Sequence, residues 1–163
     1  MMDMKIIRSK KTDSEKLTEI AKKAKAFWGY SEELIKLWEN DLTITENYIK
    51  KSKTYHIEKD ETIIGFYSFF EQEPKVVCLD NVFIKPDYIG KGFGRILMED
   101  FFKKIKKTEY DRVVLNSDPN AVSFYEKFGF GTLMLEPTKI EGRFLPVMIK
   151  NLKLEISTFK PQT

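Results

Sequence analysis

Leu79-Asp80-Asn81-Val82-Phe83-Ile84-Lys85-Pro86-Asp87-Tyr88-Ile89-Gly90-Lys91-Gly92-Phe93-Gly94 is the stretch on which the fold turns. Its first half completes a β-rich run predicted as a strand from Val76 to Ile84, ended by Pro86-Asp87. Its second half opens a helix predicted from Gly92 to Lys107, because Phe93, Ile96, Leu97, Phe101 and Ile105 recur on one helical stripe. Gly90, Gly92 and Gly94 stand at alternate positions, where they permit positive φ and close approach of the backbone to a ligand. Amide N–H groups at such a helix start converge where the helix dipole is positive, and that arrangement receives phosphate oxygens. Lys91 and Arg95 add positive charge beside it. Without a ligand the same residues read as a tight turn with packing glycines.

Downstream, the helix is long enough to be the crossover to a short apolar strand, Arg112 to Asn116, so a parallel pair is expected. A helix from Asn120 to Phe128 follows, closed by Gly129. Gly131 to Leu135 and Phe144 to Leu152 are the last predicted strands, and Pro146 implies an edge or a bulge in the second. Upstream lie two β-rich runs, Thr54 to Lys59 and Thr62 to Gln72, with Asp60-Glu61 as a hairpin connection. Lys5 to Arg8 reads as a first strand. Asp13 caps a helix carrying Leu17, Ile20, Ala21, Ala24 and Phe27, and Gly29 breaks it. Ser31 caps a second helix with Leu34, Ile35, Trp38 and Leu42 on one side, and Thr45 to Ile49 forms a short helical turn. The pattern is mixed α+β in a single domain over residues 1–163, with a loosely ordered tail expected from Lys153 to Thr163.

Composition narrows the function. The 28 basic and 25 acidic residues leave a net charge of +3, too balanced for a nucleic-acid binder. A small, anionic partner fits better. The one cysteine, Cys78, excludes an internal disulfide and suits a reducing compartment. No stretch approaches the ~20 apolar residues of a membrane span, and the N-terminus has no signal-like apolar run, so a cytoplasmic location without membrane attachment is expected. The single histidine, His56, stands apart from any Cys or His cluster, so no metal site is expected.

Two phosphate motifs are excluded directly. The P-loop pattern is absent, and the dinucleotide fingerprint fails because Arg95 occupies its third glycine position. The run from Leu79 to Gly94 instead resembles the acetyl-CoA-binding motif of the GNAT N-acyltransferases. Further on, Asn120-Ala121-Val122-Ser123-Phe124-Tyr125-Glu126-Lys127-Phe128-Gly129-Phe130 is similar to that family's second signature. The two stretches stand in the family's order and spacing, and the resemblance extends over residues 54 to 152 and more loosely over the N-terminal helices. One departure is Ile89, where the family often has Gln or Arg before the first glycine. Backbone amides, with Lys91 or Arg95, then carry more of the phosphate grip.

The resemblance implies a mostly antiparallel twisted sheet of six to seven strands, about four flanking helices and a splayed parallel pair. It implies acetyl-CoA as cofactor, held by main-chain groups of Phe83 and Ile84, by the loop from Ile89 through Gly90, Lys91, Gly92, Phe93, Gly94 and Arg95, and by Asn116, Asn120 and Tyr125. It implies direct acetyl transfer in a ternary complex to a primary amine. Tyr125 is the implied general acid, since a phenol with a reference pKa of ~10 keeps its proton at neutral pH. Asp80 is the implied base, expected to lie buried beside the sheet, with Asn81 as the alternative side chain facing the site. Phe83, Ile84 and Tyr125 also read as ordinary core, Asp80 as a solvated strand residue, and Asn120 as an N-cap. Trp28, Tyr30, Trp38 and Tyr48 are concentrated on the acceptor side, where an aromatic cleft can hold a cationic or aromatic amine; Trp28 and Trp38 read otherwise as the buried faces of amphipathic helices. The acceptor is a small-molecule or peptide amine, with no nucleic acid as partner and the chain a monomer or homodimer. The alternative is a non-catalytic acyl-CoA-binding module on the same fold.

Overall fold

In a computed structural model, which describes residues 3–153, seven strands form one mixed sheet. They are β1 (Met4–Arg8), β2 (Lys53–Lys59), β3 (Thr62–Glu73), β4 (Val76–Ile84), β5 (Arg112–Asn116), β6 (Gly131–Pro137) and β7 (Phe144–Asn151). Their hydrogen-bonded order is β1-β2-β3-β4-β5-β7-β6. β4 and β5 are parallel, whereas β1–β2, β2–β3, β5–β7 and β6–β7 are antiparallel. The helices among the described residues are α1 (Ser14–Phe27), α2 (Glu32–Leu37), α3 (Glu39–Leu42), α4 (Glu46–Lys51), α5 (Phe93–Ile105) and α6 (Val122–Glu126). The mixed class and the parallel pair expected from the sequence are both present. The tail expected to be loose lies, from residue 154 onward, outside the described residues.

The chain divides into two compact units, and β4 contributes to both. The first comprises the residues up to Phe70 with Asn81–Lys104. Its core is built by Leu17, Ile20 and Ala21 of α1, Leu42, Ile44, Ile49 and Phe66, with Ile35, Trp38, Tyr48 and Phe83 packed against it. The helical spacing of the α1 residues is what places them on this one face. Phe27, expected on the same stripe, is 52% exposed because α1 ends there and its last turn runs past the core. The predicted second helix breaks in two at Trp38, whose φ of −92° and ψ of 13° leave the helical range. The β2–β3 hairpin turns at Asp60 and Glu61, both at positive φ, as the two-residue connection requires.

Gly65 on β3 leaves no room for a side chain against β4. A Cβ there would lie 2.6 Å from Ile84 Cδ1 and 2.9 Å from the Phe83 carbonyl oxygen. A methyl end can rotate away, but a backbone oxygen cannot. Gly65→Ala is therefore expected to cost roughly 1–3 kcal/mol of stability through overpacking. Thermal unfolding checks this, and an unchanged midpoint would mean that β4 yields more readily than its geometry implies.

The second unit comprises Glu71–Asp80 and the residues from Ile105 onward. Val76, Val77, Leu79, Val113, Leu115 and Met148 are among its buried strand residues. β7 proves to be an interior strand with β6 at the edge, which corrects the edge placement considered for Pro146. Pro146 is tolerated because it lies one residue beyond the last β5–β7 pair, Asn116↔Val147. The bulge falls on the partner strand, where the β6 register shifts between Thr132 and Met134.

Candidate functional site

The loop and the start of α5 lie in the first unit. Gly90 and Gly92 have φ of 81° and 90°, whereas Gly94 lies within α5 and needs no such conformation. Nothing stands within 4 Å of a Cβ built on Gly90 or Gly92, so the space over both residues is open. The Ile96 amide donates to the Gly92 carbonyl at 3.2 Å. The amides of Phe93, Gly94 and Arg95 therefore precede the first intrahelical bond and have no acceptor within the helix. The Phe93 ring is buried edge-on to Tyr88 at 5.8 Å, which leaves the main chain as its contribution to a ligand. Arg95 forms an exposed ion pair with Glu99 at 3.6 Å, and Lys91 is exposed. Ile89 is half-buried, its amide donating to Pro86 at 3.2 Å.

Phe83 and Ile84 leave β4 just before this loop. Their side chains are core, with Phe83 packed on Phe66 at 5.8 Å and Ile84 buried over Gly65. Asn81 donates from Nδ2 to Ser68 Oγ at 3.0 Å and to the Tyr48 hydroxyl oxygen at 3.3 Å. The two hydroxyls are themselves hydrogen-bonded at 2.8 Å. Of the aromatic residues expected on the acceptor side, Tyr30 and Trp38 meet edge to face at 5.0 Å, with the Lys25 ammonium 5.3 Å and 5.0 Å from their ring centres. Trp28 is 44% exposed beside Phe27, at the end of α1. Tyr30 also lines a surface pocket of about 350 Å³ with Lys22, Glu32, Ile35, Lys36 and Glu39.

In the second unit the parallel ladder pairs Val76, Val77 and Cys78 with Arg112, Val113 and Val114. Both strands continue beyond it, β4 through Leu79 and Asp80 and β5 through Leu115 and Asn116, without further pairing to each other. This is the splay expected for the pair. Asp80 is exposed, which corrects its expected burial: it alternates with the buried Leu79 along β4 and faces the other way. Burial, with the Asp80 carboxylate as a second cause, pushes the Cys78 thiol up to about 12. Asn116 is exposed at the end of β5.

Asn120 lies in a 3-10 turn, Pro119–Ala121, that precedes α6. The cap is Asp118, not Asn120: its Oδ1 accepts from the Asn120 amide at 2.8 Å and from Asn120 Nδ2 at 2.9 Å. Asp-Pro is a strong helix-start signal, with an acceptor at the cap and φ preset at the next residue, so this feature was readable from the sequence.

Tyr125 is fixed from both sides. Its ring meets Phe124 at 5.1 Å and Phe130 at 5.9 Å. Its carbonyl accepts from the Phe130 amide while the Gly129 amide donates to Glu126, a Schellman closure with Gly129 at the left-handed position. Burial, then the Asp118 carboxylate, hold the phenol well above its ordinary range. The proton therefore stays on the oxygen.

A family model described as an acetyltransferase (GNAT) domain matches residues 17–150. The uncharacterized N-acetyltransferase ycf52 of Gracilaria tenuistipitata var. liui is 28% identical over 103 residues, or 63% of this chain and 55% of that protein. The uncharacterized N-acetyltransferase YvbK of Bacillus subtilis (strain 168) is 28% identical over 101 residues, or 60% of this chain and 65% of that protein. The chain spans about half the length of the ycf52 relatives it matches. Among solved structures, the PaiA N-acetyltransferase of Thermoplasma acidophilum in complex with coenzyme A superposes with a TM-score of 0.76 at 24% identity. That match covers 92% of this chain and 99% of the other, a likeness of fold.

Proposed function

The chain belongs to the GNAT acetyltransferase family, and from that premise we propose that it moves an acetyl group from acetyl-CoA directly to a primary amine. The observation that carries this reading is the opening of α5. Successive amides without helical acceptors stand beneath open space at Gly90 and Gly92, a cradle fitted to the diphosphate of the coenzyme. The departure at Ile89 fits the same picture, because the amides of residues 93–95 take over what the family's Gln or Arg side chain would do there. Lys91 adds charge to the phosphate side. Main-chain groups of Phe83 and Ile84 are assigned to the pantetheine arm, and so are the exposed Asn116 and Asn120.

Acetyl-CoA, when bound, supplies an acyl group already activated as a thioester. A C–N bond forms as the C–S bond breaks, so one proton must leave the amine and one must reach the departing sulfur. Asp80 accepts the first through water, because along β4 it faces the side opposite Asn81, and its exposure lets that proton pass to solvent. Tyr125 is assigned to supply the second, since its environment keeps the phenol protonated as the C–S bond breaks. The Cys78 thiol is held in its protonated form, which favours transfer without an acyl-cysteine. Trp28 and Tyr30 are assigned to the acceptor side. No helix among the described residues is long and apolar enough to cross a membrane, in keeping with action on a dissolved amine.

Acetyl-CoA-dependent thiol release over a broad amine panel tests the activity. The transferase reading expects release that requires both substrates. Saturable acetyl-CoA binding without release from any amine would replace it with the non-catalytic acyl-CoA-binding module.

A further inference from the structure

The Asn81 amide is held in one orientation by two hydroxyls from distant parts of the chain. Ser68 is fully buried on β3, and Tyr48 comes from α4. The Asn81 amide nitrogen donates toward both hydroxyl oxygens, which stand together on one side of the side chain. Oδ1 is the remaining function of that side chain, and it has no protein partner among the described residues. No buried side-chain nitrogen or oxygen among them lacks a partner, so Oδ1 reaches solvent. Phe83, two residues along β4, packs against the same cluster as Tyr48, which puts Asn81 on the strand face covered by the N-terminal helices.

Resting on the transferase reading above, we propose that Asn81 Oδ1 accepts an N–H from the acceptor amine and selects primary over secondary amines, with Tyr48 and Ser68 as positioning residues. The selectivity follows from proton count. A primary amine has two N–H bonds: one hydrogen leaves as the C–N bond forms, and the other remains to bond Oδ1 throughout. A secondary amine must surrender its only N–H, so Oδ1 loses its donor as the reaction proceeds. Because the hydroxyls hold the nitrogen end of the amide, the oxygen end is presented without a reorientation cost. Removing either hydroxyl frees the amide to turn and weakens the selection.

The test compares kcat/KM for 1-aminobutane and N-methyl-1-aminobutane, together with the KM for acetyl-CoA, in the full chain. Wild type is expected to prefer the primary amine, and Asn81→Leu to cut that preference by about tenfold, the worth of one hydrogen bond to the reacting nitrogen. Tyr48→Phe and Ser68→Ala are expected to cut it by less, with the acetyl-CoA KM unchanged in all three. A purely structural role would instead change both substrates' constants together and leave the ratio in place. An unchanged ratio in Asn81→Leu overturns the inference while leaving the transferase intact. Absence of turnover with either amine in wild type, and across the wider panel, counts against the transferase reading and the inference with it.

Discussion

Gly92→Asp is expected to abolish binding of coenzyme A, lowering affinity by a hundredfold or more. Two independent effects act at this position. A non-glycine residue at φ of 90° is strained, and the aspartate places a carboxylate in the open space above the residue, where the diphosphate would lie. Juxtaposing like charges costs several kcal/mol, and about 2.7 kcal/mol already amounts to a hundredfold in Kd. Gly92→Ala separates the two effects, since it carries the strain without the charge and should retain measurable binding. The open surroundings of the position mean that the added Cβ meets no steric clash in either variant. Calorimetric titration of each variant with coenzyme A checks the expectation. Wild-type affinity in Gly92→Asp would place the phosphates elsewhere on the molecule.

Tyr125→Phe is expected to lower kcat by about a hundredfold, the low end of what a positioned acid contributes, while coenzyme affinity stays within a few-fold of wild type. The substitution removes one oxygen and keeps the ring that packs between Phe124 and Phe130, so the Schellman closure and the helix should survive. The phenol matters because its surroundings fix its state. Burial and Asp118 both oppose the phenolate, so the hydroxyl arrives at the reaction carrying its proton. Steady-state kinetics with a saturating amine, alongside binding of the coenzyme, provide the check. Full activity in Tyr125→Phe would assign the proton to water instead.

The parts of this molecule that were readable in the sequence are those governed by local rules. The passage from β4 through the glycine loop to α5 was legible because strand patterning, a proline stop and helical periodicity follow one another within a few residues. The Asp60-Glu61 hairpin was legible because two residues between alternating runs leave few geometries. Gly129 announced the end of α6. Two local signals were passed over: Asp118 caps the turn that Asn120 was expected to cap, and Phe27 fitted the stripe of a helix that stops before burying it. The break at Trp38 interrupts a periodic pattern that continues to Leu42, and no local signal in the sequence marks it. Asp80 could not be oriented from the sequence, since adjacent residues of a strand face opposite ways and nothing in the run sets the phase. The bonds joining Tyr48, Ser68 and Asn81 span 13 to 33 positions, and no local pattern foretells them.

In the proposed function, backbone amides at the start of α5 hold the diphosphate of coenzyme A. Isothermal titration of the full chain with coenzyme A, carried to about 1 mM, tests it most directly. The expected result is saturable one-to-one binding in wild type that disappears in Gly92→Asp. Absence of heat in wild type across that whole range, or equal binding by the two proteins, would contradict it.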